Sequence, residues 1–165
     1  MIYDYHQDDP RKCTSVRLEK FGLVEQLRSL RHIPREAIVL NPVSNKTLSF
    51  EDRSSIEKRG LVGLDCSWNR AEEIFQDNIG GQSRRLPTLL AGNPTNYSIR
   101  SRLSTVEALA AALIIAGFQE EAEELLAIFK WGETFLTLNK DPLSEYSETS
   151  SEKMFDCERE YFPTE

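Results

Sequence analysis

Histidine and cysteine are scarce in this chain of 165 residues, with two copies of the first and three of the second. His6 and His32 stand far apart, which excludes a histidine-built metal cage or a histidine-centred triad. Cys13, Cys66 and Cys157 are odd in number and form no CxxC pair, so neither a disulfide framework nor a zinc site is expected. That usage fits a reducing, cytoplasmic compartment and a protein that holds no metal. No apolar run approaches the length of a membrane span; the longest, Ala108 to Phe118, covers 11 residues. The first residues, Met1 to His6, lack the basic and apolar regions of a secretion signal. There is no P-loop, GxGxxG, HExxH or GxSxG.

What is present is a soluble composition with uneven charge. With 39% hydrophobic and 28% charged residues, the chain has enough apolar content to bury a core and is not disordered. The net charge of -7 hides a division. Residues 1–105 carry 16 basic and 13 acidic side chains, a net of +3, and residues 106–165 carry 4 and 14, a net of -10. Basic pairs occur at Arg11-Lys12, Arg28 with Arg31, Lys58-Arg59, Arg84-Arg85 and Arg100 with Arg102. One basic face could therefore meet a polyanion while the acidic third stays in solvent.

The hydrophobic pattern changes from α/β to all-helical along the chain. Ile2–Tyr5 reads as a strand, and Leu18, Phe21, Val24, Leu27 and Leu30 predict an amphipathic helix over 17–30. The unbroken apolar runs Ala37–Leu40 and Leu61–Leu64 read as buried parallel strands. Between them Ser49 and Asp52 resemble a capping box for a helix that Gly60 ends. A helix is expected over 69–76, and Gly80-Gly81 marks a loop. Ser104 and Glu107 form a second capping box before the buried helix 106–116, and further helices are expected over 119–130 and 133–139. Residues 147–165, rich in Glu and Ser, are expected to be weakly packed. The expected boundaries are 1–88 for the α/β part and 89–165 for the helical part.

In an open α/β sheet, ligands bind outside the carboxyl ends of the strands. Three segments fall there: Asn41-Pro42-Val43, Asp65 to Asn69, and Leu86 to Tyr97. Asp65 is either a turn or helix-capping residue or a carboxylate that orients a ligand or takes a proton. Trp68, three residues on, is either core or the wall of a pocket for a flat ring. Thr14 and Ser15 either cap a helix or offer a hydroxyl and backbone N–H groups to a ligand carboxylate.

Six segments taken in order carry a resemblance. They are Asp8-Asp9-Pro10-Arg11-Lys12-Cys13-Thr14, Leu40-Asn41-Pro42, Gly63-Leu64-Asp65-Cys66-Ser67-Trp68-Asn69-Arg70-Ala71, Arg85-Leu86-Pro87, Ala91-Gly92-Asn93-Pro94-Thr95-Asn96-Tyr97 and Leu103-Ser104-Thr105-Val106-Glu107-Ala108. Together they resemble the 3-amino-3-carboxypropyl (acp) transferases that act on small-subunit ribosomal RNA in archaea and eukaryotes. The similarity runs from Asp8 to about Asn139. It implies a SPOUT-like α/β fold: a parallel sheet with a deep trefoil knot, followed by an all-helical C-terminal half. The absence of a eukaryote-type C-terminal extension points to an archaeal form.

The resemblance also implies S-adenosylmethionine (SAM) as acp donor, with N3 of a pseudouridine, often N1-methylated, as acceptor and methylthioadenosine as by-product. Leu40, Pro42, Trp68, Leu103 and Ala108 would wall the adenine and sulfonium region. Leu86 and Ser101 would meet the adenine edge through their backbones, and the Leu64 carbonyl the ribose. Thr14 would meet the methionine carboxylate, and Thr105 falls at a further cofactor position. Family members often carry Gly-x-Pro-aromatic where this chain has Ser98-Ile99-Arg100-Ser101. Asp65 is the expected catalytic group. Arg11, Lys12, Arg70, Arg84, Arg85 and Lys130 are the expected phosphate contacts. The partner is small-subunit rRNA or a pre-ribosomal particle, met by a monomer away from membranes. A SPOUT-type methyltransferase and a non-catalytic assembly factor are the competing readings.

Overall fold

The computed structural model of the chain describes residues 1–7, 9–76 and 79–164; Asp8, which opens the first motif, lies outside them, as do the side chains of Glu72 and Gln76. Four short strands build one parallel sheet: β1 (Ile2–Asp4), β2 (Ile38–Leu40), β3 (Leu61–Asp65) and β4 (Gln82–Arg84). Their order is β1-β3-β2-β4, so β3 enters between two strands already laid down. The alternation of side chains across the strands feeds two cores. Ile2, Ile38, Leu40 and Leu61 pack on one face, and Val39, Val62 and Leu64 on the other. That two-sided burial is why the strands read as unbroken apolar runs.

The second core is closed by Ala71 and Phe75 of α3 (Ala71–Gln76), with Leu27, Ile33 and Ile79 from loops. The first core is closed by the helical part: α4 (Thr105–Ile115), α5 (Gln119–Ala127), α6 (Gly132–Leu138), α7 (Lys140–Tyr146) and α8 (Met154–Tyr161). Helix α4 lies directly on β3, where Gly63 leaves room for Thr105 and Leu109; a Cβ there would stand 3.3 Å from both. The predicted Ser104–Glu107 capping box opens α4, and the Ser49–Asp52 box precedes α2 (Arg53–Arg59).

Several expectations are corrected. The helix predicted over 17–30 is α1 (Thr14–Lys20); the chain turns at Gly22 with φ +69°, a conformation open to glycine at little cost. Beyond it the backbone runs beside β1, with Ile2 N–H donating to Glu25 O and Leu27 N–H to Ile2 O. The threefold spacing of Leu and Val thus served two cores rather than one helical face. Strand β4 was not predicted, because Gln82-Ser83-Arg84 lacks apolar residues. Helix α7 follows the predicted helix 133–139 and was not expected; Pro142 sits in its first turn, where its missing N–H costs nothing.

The largest correction is the C-terminus, apart from Glu165, which is outside the described residues. Residues expected to fray form α8, with Met154, Cys157 and Glu158 buried. Glu158 accepts both arms of the Arg85 guanidinium, at 3.0 and 2.8 Å, together with the Thr88 N–H at 2.7 Å. Replacing Glu158 with Ala leaves that arginine and that N–H without their acceptor. The expected loss is about 2–3 kcal/mol, because Arg85 is partly open to water. Urea unfolding measures it, and a change below about 0.5 kcal/mol would show that α8 is not docked by this pair.

Candidate active site

The carboxyl ends of β2, β3 and β4 frame a cleft because two strands part there. The β2–β3 register ends at Val39 opposite Val62, while β3 continues beside β1 as far as Asp65. Gly63 N–H donates to Met1 O and Asp65 O accepts from Tyr5 N–H, so those residues turn their backbone groups towards β1. By alternation Leu64 turns its carbonyl the other way, into the gap that β2 leaves as it bends at Asn41-Pro42. Asn41 holds that bend, its Oδ1 accepting from Val43 N–H and its Nδ2 donating to Phe75 O.

The cleft holds a cavity of about 210 Å³ that opens to solvent. Leu40, Pro42, Leu64, Trp68, Leu86, Ser101, Leu103, Thr105 and Ala108 line it, all nine expected from the sequence as cofactor contacts. Thr14, the tenth, lies in an adjoining open groove that shares Cys66, Trp68, Leu103, Ser104 and Thr105 with the cleft. Its Oγ1 accepts from Val106 N–H at 3.4 Å and ties α1 to the first turn of α4. Two backbones are already partly engaged. Ser101 N–H donates to Leu89 O, leaving its carbonyl and hydroxyl for a ligand, and Leu86 O accepts from Arg85, leaving its N–H. Ser101 and Ser98 have φ of +56° and +62°, so the segment departs from the family's glycine yet keeps a glycine-like backbone.

Asp65 is the last residue of β3, 8% exposed, and lines the groove rather than the cleft. Its carboxylate does not cap the turn Trp68–Arg70; Oδ2 accepts from the Cys13 thiol at 3.0 Å. Cys13 also meets Ser15 Oγ at 2.8 Å. Burial, and then the Asp65 contact, push the Cys13 thiol up to about 11, so it stays protonated at neutral pH. Asp4, Cys13 and Asp65 place ligand-type atoms within 4.8 Å of one another, and a metal there would first have to displace that thiol proton.

The groove gathers cations and aromatic rings. Arg11, Lys12, Arg17, Lys20 and Arg102 line it, with Phe21, Trp68, Phe129 and Trp131. Arg17 lies over Phe129 and Arg102 over Trp68. Arg17, Lys20 and Arg102 were not among the expected phosphate contacts. Their signal in the sequence was the one-turn spacing of Arg17 and Lys20 and the Arg100–Arg102 pair. Arg11 is exposed but paired with Asp9, and Arg70 and Lys130 are exposed outside the groove lining. Arg84 and Arg85 are not among the groove's lining residues. Arg84 donates to Asp52 at 3.0 Å with 15% of its side chain exposed, and Arg85, which lines the cleft, is paired with Glu158.

The family described as "Ribosome biogenesis protein, C-terminal" matches residues 38–162. The chain belongs to this family. Relatives of the ribosome-biogenesis family named 16S rRNA aminocarboxypropyltransferase include that of Methanobrevibacter smithii, 43% identical over 155 residues (92% of this chain, 90% of the relative). That of Methanopyrus kandleri is 48% identical over 151 residues, 87% of each chain. The solved SAM-dependent rRNA:acp-transferase Tsr3 from Vulcanisaeta distributa superimposes with a TM-score of 0.89 at 41% identity, covering 97% of this chain and 86% of that one. Residues 1–31 also match "Possible Fer4-like domain in RNase L inhibitor, RLI". An iron–sulfur cluster does not fit there, since the segment holds one cysteine, Cys13, where a cluster takes four.

The protonated thiol makes a direct prediction. Iodoacetamide labelling of Cys13, read on its peptide by mass spectrometry, should rise about tenfold per pH unit from about pH 8 to 10, because only the thiolate reacts. A plateau near pH 9 would mean that the thiol is neither buried nor held by Asp65.

Proposed function

We propose that this chain transfers the acp group of SAM to N3 of a pseudouridine, with or without N1-methylation, in small-subunit rRNA during ribosome biogenesis, releasing methylthioadenosine. One observation carries the proposal: the cleft and the groove meet at Trp68, with the expected cofactor walls on one side and Asp65 on the other. The donor set of the cleft fits SAM. Leu40, Pro42, Leu103 and Ala108 offer apolar walls, Trp68 a flat face, and Leu64 a carbonyl that the sheet leaves unpaired with β2. Leu86 N–H and the Ser101 carbonyl would meet the adenine edge, and Thr14 and Thr105 the amino-acid end.

When bound, SAM supplies a sulfonium whose three attached carbons are open to displacement. The walls of the cleft decide which of them faces the groove, and fixing that geometry is where this chain does its catalytic work. Asp65 would accept, or orient, the proton at N3 of the uracil edge. Lys12, Arg17, Lys20 and Arg102 would steady the RNA backbone at the groove, with Arg11, Arg70 and Lys130 at its margins, giving salt-sensitive binding. In this reading residues 1–88 hold the cofactor, 89–165 complete the site, and the protein works as a cytoplasmic monomer. The reading includes a SPOUT-like trefoil knot, supported by the parallel order β1-β3-β2-β4 and the likeness to Tsr3.

Incubation with SAM and unmodified small-subunit RNA, followed by nucleoside mass spectrometry, tests the proposal. The expected product is a pseudouridine heavier by about 101 Da, with methylthioadenosine released; a gain of about 14 Da would mean methyl transfer instead. Asp65→Ala should lower kcat by about 100-fold or more. Trp68→Ala should weaken SAM binding by about tenfold, measured by calorimetry. Full transfer by Asp65→Ala would remove Asp65 from the chemistry.

A further inference from the structure

Asp65 does not stand alone at the end of β3. Cys13 occupies the residue before α1, a position where Ser, Thr, Asp or Asn usually caps the helix. Here the side chain is a thiol, and it reaches across the groove floor to Asp65 Oδ2 at 3.0 Å. Behind it Ser15 Oγ, on a residue with no exposed surface, lies 2.8 Å from the sulfur. The result is a short hydrogen-bonded row, Ser15–Cys13–Asp65, leading from the interior to the groove. Among the described residues no buried side-chain oxygen lacks a partner, and the thiol is the side-chain donor to this carboxylate. The other oxygen, Oδ1, is therefore the one open to the groove.

We propose that Cys13 is a positioning residue for Asp65: it donates its proton to Oδ2, fixes the carboxylate plane, and so presents Oδ1 to the acceptor base. This rests on the function proposed above. A thiol suits the task because, held protonated by burial beside a carboxylate, it donates throughout the neutral range and adds no second negative charge. Charge near Asp65 is already crowded. From β1, a carboxylate oxygen of Asp4 lies within 4.8 Å of a carboxylate oxygen of Asp65 and of Cys13 Sγ, and Asp4 is itself met by His6 Nδ1 at 3.3 Å. Removing the thiol leaves Asp65 facing Asp4 without its donor.

The test compares wild type, Cys13→Ala and Cys13→Ser by two readouts. In Cys13→Ala, kcat should fall about threefold to tenfold with KM for SAM unchanged. Cys13→Ser keeps a donor and should restore most of kcat. Independently of turnover, iodoacetamide labelling of Cys13 should quicken in Asp65→Asn, because the thiol loses the carboxylate that helps to hold its proton. A kcat within twofold of wild type in Cys13→Ala, or one that Cys13→Ser fails to restore, overturns the positioning role. If the wild type makes no acp product, labelling that quickens in Asp65→Asn upholds the contact while the proposed function falls.

Discussion

The wall of the site depends on how one extended segment, residues 86–93, satisfies its backbone without a neighbouring strand on both sides. On one side Leu89 and Ala91 pair with the returning chain at Ser98, Ile99 and Ser101. On the other side, buried side chains from the helices take the place of a strand. Glu158 accepts from Thr88 N–H while Tyr146 donates to Thr88 O. Asn139 accepts from Leu90 N–H and donates to Leu90 O, both at 2.8 Å. Glu107 accepts from the N–H groups of Gly92 and Asn93. Each pairing answers the rule that a buried backbone group must be bonded, and together they weld the helical part to the cleft.

Glu107 shows the economy of this arrangement. With no exposed surface, its carboxylate caps α4 through Ser104 and also holds the Gly92–Asn93 turn, including Asn93 Nδ2 at 2.7 Å. The turn approaches α6 so closely that a Cβ on Gly92 would stand 2.6 Å from the Phe135 backbone. Buried hydrogen bonds thus brace the cleft on the helical side. On the sheet side it exists because β2 bends away at Asn41-Pro42 while β3 runs on, exposing the Leu64 carbonyl. A ligand enters a gap between strands that the fold has already opened.

Charge follows the same division of labour. Of the paired basic residues, Arg84 and Arg85 hold β4 and its following loop to Asp52 and Glu158. The cations that face the groove come from the turn before α1, from α1 itself and from the residues before α4. An acidic C-terminal third therefore does two jobs. It supplies internal partners such as Glu107 and Glu158, and it covers the helical exterior with Glu120, Glu121, Glu123 and Glu124. The net charge of -7 consequently says little about the face that would meet RNA.

What the sequence determined by itself was local or periodic. The buried strands at 38–40 and 61–65, both capping boxes, the apolar helix α4 and the loops at the strand ends were legible, because each rests on neighbouring residues or on a fixed period. The cleft residues were legible through a resemblance of motifs rather than through pattern. Tertiary structure alone decided the rest. It ended α1 at Lys20 because the next apolar residues were wanted in two separate cores, and it made a strand of Gln82-Ser83-Arg84 because β2 offered an edge. It ordered residues 154–161 because Glu158 found Arg85 across 73 positions of chain. It turned Cys13 from an isolated thiol into the donor to Asp65, a contact spanning 52 positions. Such contacts leave no periodic trace, because their partners are brought together only when the sheet and helices close.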